Sequence, residues 1–479
     1  MDAPPLYRQM ADHYRQAIAA GALVPGDRMP SVRALMARHG VSLSTALQTC
    51  RHLESLGLLE ARPRSGYFVR PPRRGSLAPV EEPCPTLPDP AQYIGIHQKV
   101  SAILARGQAR PDALNLAVAC GAPSLYPAAA LQQAAMRVLR RQPALFGTAV
   151  PFNGAPAFRA ALAQQALASR MTLGADDIIV THGCVEALNL ALRAVARPGD
   201  VVAVETPTFY GLLQILENLG MRALEIPTSP QTGISLEALD LAADAYANIK
   251  AVVVVPNLQN PLGAIMPDAH KARLAAWAEA RGIALIEDDT YAALGNDDAP
   301  LSALKAFDAT GNVIHCASLH KTLAPGMRLG WIAPGKWKPR VEMLKYAQSR
   351  PNEALPQLAV AEFMGSGGFE RHLRRLRVQL REQRERLGEA VAAYFPAGTR
   401  LNVPPGGFGL WIELPGQLPS ERLFDAALDE GIRVSPGVMF ANSGRFDHFL
   451  RLSCGAPWSQ ALDEGIRRLG GVVARLAGA

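Results

Sequence analysis

Lys321 stands in CASLHKTLAPGMRLGWIAP, between a Val/Ile-rich run and a Gly/Pro loop. An amine in such a place can form an imine with an aldehyde cofactor. A single lysine is more often a surface residue, so the reading rests on its company. Ser318 precedes it by three residues and Arg328 follows by seven. A hydroxyl and a guanidinium converging there suit a phosphate dianion. Asp288 closes GIALIEDD, where a carboxylate can bond a ring nitrogen and keep it protonated. The plainer alternative is a solvated turn of Glu287, Asp288 and Asp289. Tyr291 and Asn260 (in PNLQNPLG) can reach a phenolic ring oxygen from two sides, although Asn before Pro is also a common turn residue. Gly183 and Cys184 in THGCVEALNLAL open a helix whose first amides can face a phosphate. Phe209 in ETPTFYG can stack on a ring, though an aromatic beside a strand end is more often core. Arg451 in HFLRLSCG offers a bidentate clamp for a carboxylate.

The elements that must position these residues are short apolar runs: DIIVTH (177–182), DVVAVE (200–205), KAVVVVP (250–256), GIALIED (282–288) and NVIHCAS (312–318). They alternate with longer Ala/Leu-rich stretches. Continuous apolar strands between helices predict an α/β fold with a parallel sheet covered on both faces. In such sheets ligands sit beyond the carboxyl ends of strands, where most of the candidates fall.

Upstream the pattern changes. Residues 71–90, PPRRGSLAPVEEPCPTLPDP, hold seven prolines and predict a stiff, partly extended linker. Before it, apolar residues recur at helical spacing from Leu6 to Ala20 and stop at Gly21. Ser31 can cap a second helix that Gly40 closes, and a third begins at Ser42 or Ser44 and ends at Gly57. Two short helices joined by a tight turn are the frame that lays a recognition helix in a DNA major groove. Ser42, Ser44 and Thr45 open that helix with small hydroxyls able to donate to phosphates or base edges. LLEARPRSGYFVR reads as a hairpin with Ser65 and Gly66 at the turn and Arg62 and Arg64 flanking the tip, as a wing requires.

Charge agrees with this division. The 479 residues carry +7 in all, and residues 1–72 hold nine Arg, no Lys and five acids, a net of +4. A basic solvated surface accounts for that; so does a small domain that meets phosphates. With 49% hydrophobic residues the chain has ample core material. No apolar run approaches the ~18 residues of a membrane span. The polar start carries no signal-peptide core. The six cysteines lie far apart, with no CxxC pair, so neither a disulfide framework nor a metal site is expected, and the setting read from this is a reducing cytoplasm.

The stretch PGDRMPSVRALMARHGVSLSTALQTCRHLESLGLLEARPRSGYFV resembles the GntR family of bacterial winged-helix repressors. The likeness implies double-stranded DNA as partner, with Arg33, Ser42, Ser44, Thr45, Arg64, Ser65 and Gly66 at its surface. Some members carry Arg in the recognition helix where this chain has Leu43 and Leu47. From about residue 96 onward the chain resembles fold-type I aminotransferases. Asn260-Pro261-Leu262-Gly263 matches their Asn-Pro-x-Gly motif, Asp288 and Tyr291 their Asp-x-x-Tyr, and Ser318-x-His320-Lys321 their Ser-x-Ser-Lys, with Arg328 following. This implies pyridoxal 5'-phosphate held covalently by Lys321, and a homodimer with the site near the subunit interface. His320 departs from the usual Ser, and Ala149 stands where relatives often carry a Tyr that reaches the neighbouring subunit's phosphate.

The combination resembles the MocR-type regulators over essentially the whole chain. It implies a winged helix-turn-helix domain over 1–72, a linker over 73–95, and a cofactor-binding domain over 96–479 with a smaller C-terminal α+β subdomain from about 345. The expected function is cofactor-dependent transcription regulation that senses pyridoxal 5'-phosphate and/or an amino compound, an amino acid or amine effector anchored by Arg451. The alternative is a working aminotransferase that carries a DNA-binding module.

Overall fold

The computed structural model describes residues 5–62, 65–70, 77–80, 92–93, 95–296 and 300–478. Arg64 and most of the proline-rich linker lie outside the described residues. The chain divides into two compact units, with the division after residue 76.

Among the described residues the first unit has three helices, α1 (Leu6–Ala19), α2 (Val32–His39) and α3 (Leu43–Ser55), and a hairpin of β1 (Leu59–Arg62) and β2 (Gly66–Val69). Its local signals are those the sequence carries. The Ser31 hydroxyl accepts from the Ala34 amide at 3.2 Å to cap α2, and Gly40, at φ +63°, ends it. Ser42 caps α3 in the same way through the Thr45 amide, 3.2 Å. The hairpin is antiparallel and pairs Leu59 with Val69 and Arg62 with Gly66. A segment between α1 and α2 also joins it: Met29 donates to the Tyr67 carbonyl at 2.9 Å, and Arg28 bridges Phe68. The helices and hairpin enclose a core that includes Tyr14, Met29, Leu35, Cys50, Leu53, Leu59 and Val69. Each fully buried aliphatic side chain of this kind contributes about 1.5–3 kcal/mol.

The second unit is built on a nine-stranded sheet. Its central order is Arg222–Ser229, Val201–Thr206, Ile249–Val254, Ala284–Asp288, Val313–Ser318, Gly330–Ala333, Ile179–Thr181. The first five pair parallel to one another. Gly330–Ala333 is antiparallel to both of its neighbours, so Ile179–Thr181 again runs with the majority. The sheet is covered on both faces because its strands are apolar throughout. Val202 and Val204 point into one core with Ile286, Ile314 and Cys316, while Val201 and Ala203 point into another with Leu224, Val252 and Leu285. This two-residue alternation between two cores is what a strand buried on both faces requires.

A second, four-stranded antiparallel sheet follows, ordered Arg400–Asn402, Gly409–Glu413, Phe449–Ser453, Ser435–Pro436. Helices Gly368–Tyr394, Ser420–Asp429 and Gln460–Ala477 belong to the same part of the chain. An early segment reaches into it: Leu114–Asn115 pairs parallel with Ile432–Arg433. Among the described residues no helix is long and apolar enough to cross a membrane.

Candidate cofactor site and DNA interface

Asp288 and Ser318 are the last residues of their strands, and Gly183, Phe209 and Lys321 come two or three residues after theirs. Arg328 precedes its strand, but that strand runs the other way, so its start lies at the same edge of the sheet. The topology therefore gathers these residues at one end. Gly183, Cys184, Phe209, Asn260, Asp288, Tyr291, Ser318, Lys321 and Arg328 all line a single cavity of about 730 Å³, counting the space that opens to solvent. Val185, Leu188, Val255, Thr290 and His320 complete its wall.

Close approach of backbones shapes one side. Gly183, the N-cap of helix Cys184–Val195, has φ +86°, a conformation L residues avoid. Behind it, a Cβ on Gly330 would fall 2.6 Å from the Gly183 carbonyl carbon and 2.7 Å from the Ala317 oxygen. Glycine at 330 is thus what lets strand and helix start meet. Arg328 itself sits at φ +52°, in the left-handed region, and its Nη2 donates to the His182 carbonyl at 3.4 Å. Such a conformation costs on the order of 1 kcal/mol and persists only where neighbours enforce it.

Electrostatics follow from burial. The Lys321 amine makes no ion pair among the described residues, and loss of solvent, reinforced by the Arg451 and Arg328 charges, lowers it to about 8. His320 is pushed down to about 4 by burial and by the Lys321 and Arg328 charges, so it adds no positive charge at neutral pH. Burial raises Asp288 despite three hydrogen bonds that favour its ionised form. Those bonds fall on one oxygen: Oδ1 accepts from Thr290 Oγ1 at 2.6 Å, from the Thr290 amide at 3.1 Å and from Cys184 Sγ at 3.3 Å. Burial also raises the Cys184 thiol well above its ordinary value, keeping it a donor, and raises the Tyr291 phenol.

Arg451 does not line this cavity. It comes from strand Phe449–Ser453 of the second sheet and borders an adjoining cleft with Asn260 and Tyr291. Its Nη1 donates to Asn260 Oδ1 at 2.9 Å, and Nη2 donates to the Ala117 carbonyl at 2.6 Å and to Ser435 Oγ at 3.3 Å. It is 3% exposed, stands 4.9 Å from the Phe440 ring centroid, and makes no ion pair among the described residues. A buried guanidinium without a carboxylate is a ready anion site.

Three contributors escape sequence reasoning. Thr290 holds Asp288. Tyr126 accepts from the Gly121 amide at 3.0 Å and donates to the Lys321 carbonyl at 3.4 Å, and Cys120 Sγ lies 3.2 Å from the same hydroxyl. The pairing of Tyr126 and Lys321 spans 195 residues, and no local pattern signals it. Thr290 was open to inference, since a hydroxyl two residues after an Asp commonly closes a turn onto it.

In the first unit, Ser42 Oγ lies 2.8 Å from Ser44 Oγ and 2.9 Å from Thr45 Oγ1, so the three hydroxyls form one cluster at the start of α3. Arg33 is exposed on α2 with no acid partner among the described residues. Arg62 is exposed but occupied: Glu60 accepts from its Nε at 2.6 Å, and its guanidinium stacks 4.3 Å over Phe68. Ser65 and Gly66 are exposed at the hairpin. A Cβ at Gly66 would meet the Arg28 guanidinium at 3.5 Å, so Arg28 also stands beside the wing, a neighbour sequence reasoning missed.

The family model for aminotransferase class I and II matches residues 119–469, and that for bacterial regulatory proteins of the gntR family matches residues 6–69. Over 479 residues the chain is 36% identical to the HTH-type transcriptional regulator YjiR of Escherichia coli (strain K12), covering 98% of this chain and 99% of that protein. The chain belongs to the MocR-type regulators. The HTH-type transcriptional regulator TauR of Rhodobacter capsulatus also matches along its length, 28% identical with 97% of this MocR-type chain and 96% of TauR covered. Among solved structures, the alpha-aminoadipate aminotransferase LysN of Thermus thermophilus, complexed with N-(5'-phosphopyridoxyl)-L-leucine, superposes with a TM-score of 0.70 at 28% identity. The match covers 79% of the MocR-type chain and 95% of LysN, so the likeness is to the larger unit's fold-type I architecture.

Proposed function

We propose that this chain is a DNA-binding transcription regulator whose larger unit holds pyridoxal 5'-phosphate and senses an amino compound through it. The observation that carries the reading is the convergence of nine candidate residues on one cavity in a chain that also has a winged helix.

The donor set fits this cofactor. Lys321, lowered to about 8, keeps a reactive free-base fraction near neutral pH and has no acid partner among the described residues. Asp288 has spent all its hydrogen bonds on Oδ1, which leaves Oδ2 as the acceptor for a protonated ring nitrogen. Asn260 and Tyr291 offer donors for a ring oxygen. Ser318, Arg328 and the first amides of helix Cys184–Val195 suit a phosphate. When bound, the cofactor supplies an electron sink for the α-carbon of an amine. The protein's own part is to hold it. Asp288 keeps a proton on the ring, Phe209 and the apolar wall exclude water, and Tyr126 fixes the backbone of Lys321. Arg451 binds a carboxylate on the incoming amino compound, and neutral His320 leaves the phosphate charge to Arg328 and the helix. The hydroxyl cluster of α3 and the arginines Arg33, Arg62 and Arg64 meet DNA, with a homodimer presenting two copies to paired half-sites.

The test joins a spectrum to a gel shift. Wild-type protein should show the visible band of lysine-bound cofactor and a DNA response to an active amine, and Lys321→Ala should lose both. A DNA response indifferent to the cofactor would overturn the coupling. A second reading, an active aminotransferase, is favoured by the likeness to LysN and by an amine near 8 that can exchange protons at neutral pH. Complete conversion of an amino acid to its keto acid in a single-turnover assay would support it, and a bound amine that never turns over would exclude it.

A further inference from the structure

A second cavity, about 860 Å³ with its open space included, borders the same sheet edge and shares Thr290 and Ser318 with the first. Its wall includes Asp289, His315 and Thr322. Each of these presents a buried polar atom with no hydrogen-bond partner among the described residues: Asp289 Oδ1, His315 Nε2 and Thr322 Oγ1. The side chains of His315 and Asp289 are 1% and 8% exposed, and Thr322 is 3% exposed. An unpaired buried polar atom costs about 1–3 kcal/mol. Three in the lining of one cavity point to a ligand bound there.

The arrangement around His315 says what kind. Its Nδ1 lies 3.2 Å from Glu287 Oε2. Glu287 is itself fixed, since its two oxygens accept from the Leu304 amide at 2.6 Å and the Lys305 amide at 2.9 Å. A carboxylate so held accepts from Nδ1–H, and in the neutral ring the Nε2 lone pair then faces the opposite side. There Asp289 Oδ2 stands 3.8 Å away. Ligand atoms of Glu287, Asp289 and His315 lie within 4.8 Å of one another. An imidazole oriented by a carboxylate on one nitrogen and free on the other is the recurrent preparation for metal ligation. Charge points the same way. Glu287, Asp288 and Asp289 are three successive buried carboxylates, and the nearby lysines are engaged elsewhere. Lys271 Nζ donates to Asn257 Oδ1 and the Ser302 carbonyl, each at 2.8 Å, and Lys305 Nζ to Asp308 Oδ2 at 3.2 Å.

We propose that His315 Nε2 and the Asp289 carboxylate bind a divalent transition-metal cation of the zinc type, with Glu287 orienting the imidazole. One nitrogen and one or two carboxylate oxygens suit zinc, whereas magnesium favours an octahedron of oxygens. Tetrahedral zinc at ~2.0–2.1 Å from each ligand sets donor atoms about 3.4 Å apart, which a small rotation of the Asp289 carboxylate reaches. Thr322 Oγ1 then accepts from a metal-bound water. The site lies outside the cofactor reading and does not depend on it.

The test uses the full chain with its cofactor, stripped by a chelator and titrated with Co²⁺ as a spectroscopic stand-in. One Co²⁺ per chain should bind with a visible ligand-field absorption that Zn²⁺ abolishes. Asp289→Asn should lose it, and Thr322→Val, close to isosteric, should weaken Zn²⁺ binding about tenfold, as loss of an outer partner does. Thermal unfolding and the cofactor band report separately that each variant is folded. If Asp289→Asn fails to fold, wild-type stoichiometry together with Thr322→Val decides. Failure of the wild-type chain to take up Co²⁺, uptake that Thr322→Val and a folded Asp289→Asn leave unchanged, or Mg²⁺ binding as tightly as Zn²⁺, each overturns the proposal.

Discussion

At Lys321 and Arg451 the chemistry is set by what burial removes. A lysine lowered to about 8 is mostly protonated at pH 6.5 and mostly free base at pH 9. Only the free base attacks an aldehyde. The rate at which cofactor-free protein takes up pyridoxal phosphate should therefore climb about tenfold per unit below pH 8 and flatten above it. Stopped-flow absorbance measures this, and a rate that keeps rising to pH 10 would show an ordinary lysine. Asp288 makes a separate claim. Asp288→Asn exchanges an ionic hydrogen bond to the ring for a neutral one, an interaction worth about 1.5–3 kcal/mol, so the cofactor Kd should rise about 10–100-fold. Arg451 discriminates between effectors. Arg451→Gln leaves a buried carboxylate unpaired, a loss of about 2–5 kcal/mol, so amino acids should bind at least ~30-fold more weakly. Amines without a carboxylate should be unaffected, and equal loss for both classes in a spectral titration would show that Arg451 acts only by holding Asn260.

Elements explain why those residues meet, and here the glycine contact is decisive. Gly330→Ala places a methyl 2.6 Å from the Gly183 backbone, where no flexible side chain can yield. Overpacking of this kind costs about 1–3 kcal/mol, so the melting temperature should fall by a few degrees and cofactor capacity with it, as calorimetry and absorbance of one sample will show. This contact was not legible in the sequence, which shows a glycine at 330 but not what lies across from it. Much else was legible, because its causes are local. Apolar runs such as DVVAVE and NVIHCAS specify strands buried on both faces, and a polar residue at the end of such a run falls at the sheet's carboxyl edge. Ser31, Gly40 and Ser42 mark helix ends through bonds to residues two to four away. What stayed hidden depends on distant partners. Arg451 meets Asn260 across 191 residues and from another sheet, so its role but not its contacts could be inferred. Leu114–Asn115 and Ile432–Arg433 are strands of two residues, too short to carry a periodic signal. Arg62 and Glu60 share one strand face, and a net charge does not reveal which arginine that acid pairs with.

For the whole molecule, the distribution of charge becomes a statement about DNA. More than half of the net +7 lies in residues 1–72, yet the arginines there are not equivalent. Arg33 is exposed with no acid partner among the described residues, whereas Arg62 is bound to Glu60 and stacked on Phe68. A protein that neutralises Z phosphates loses affinity with salt at a log–log slope of about −0.9Z, so each released cation is counted by the slope. If two copies of the chain bind paired half-sites, Arg33→Ala removes two phosphate contacts per complex and should flatten the slope by about 2. Arg62→Ala should flatten it by less, because Glu60 competes with phosphate for that guanidinium. A monomer on a single site predicts a change of about 1 for Arg33→Ala. Binding measured by fluorescence anisotropy at several salt concentrations thus reads, from one substitution, both which arginine meets phosphate and how many copies of the chain do so. Equal slopes for wild type and Arg33→Ala would show that α2 does not approach the duplex.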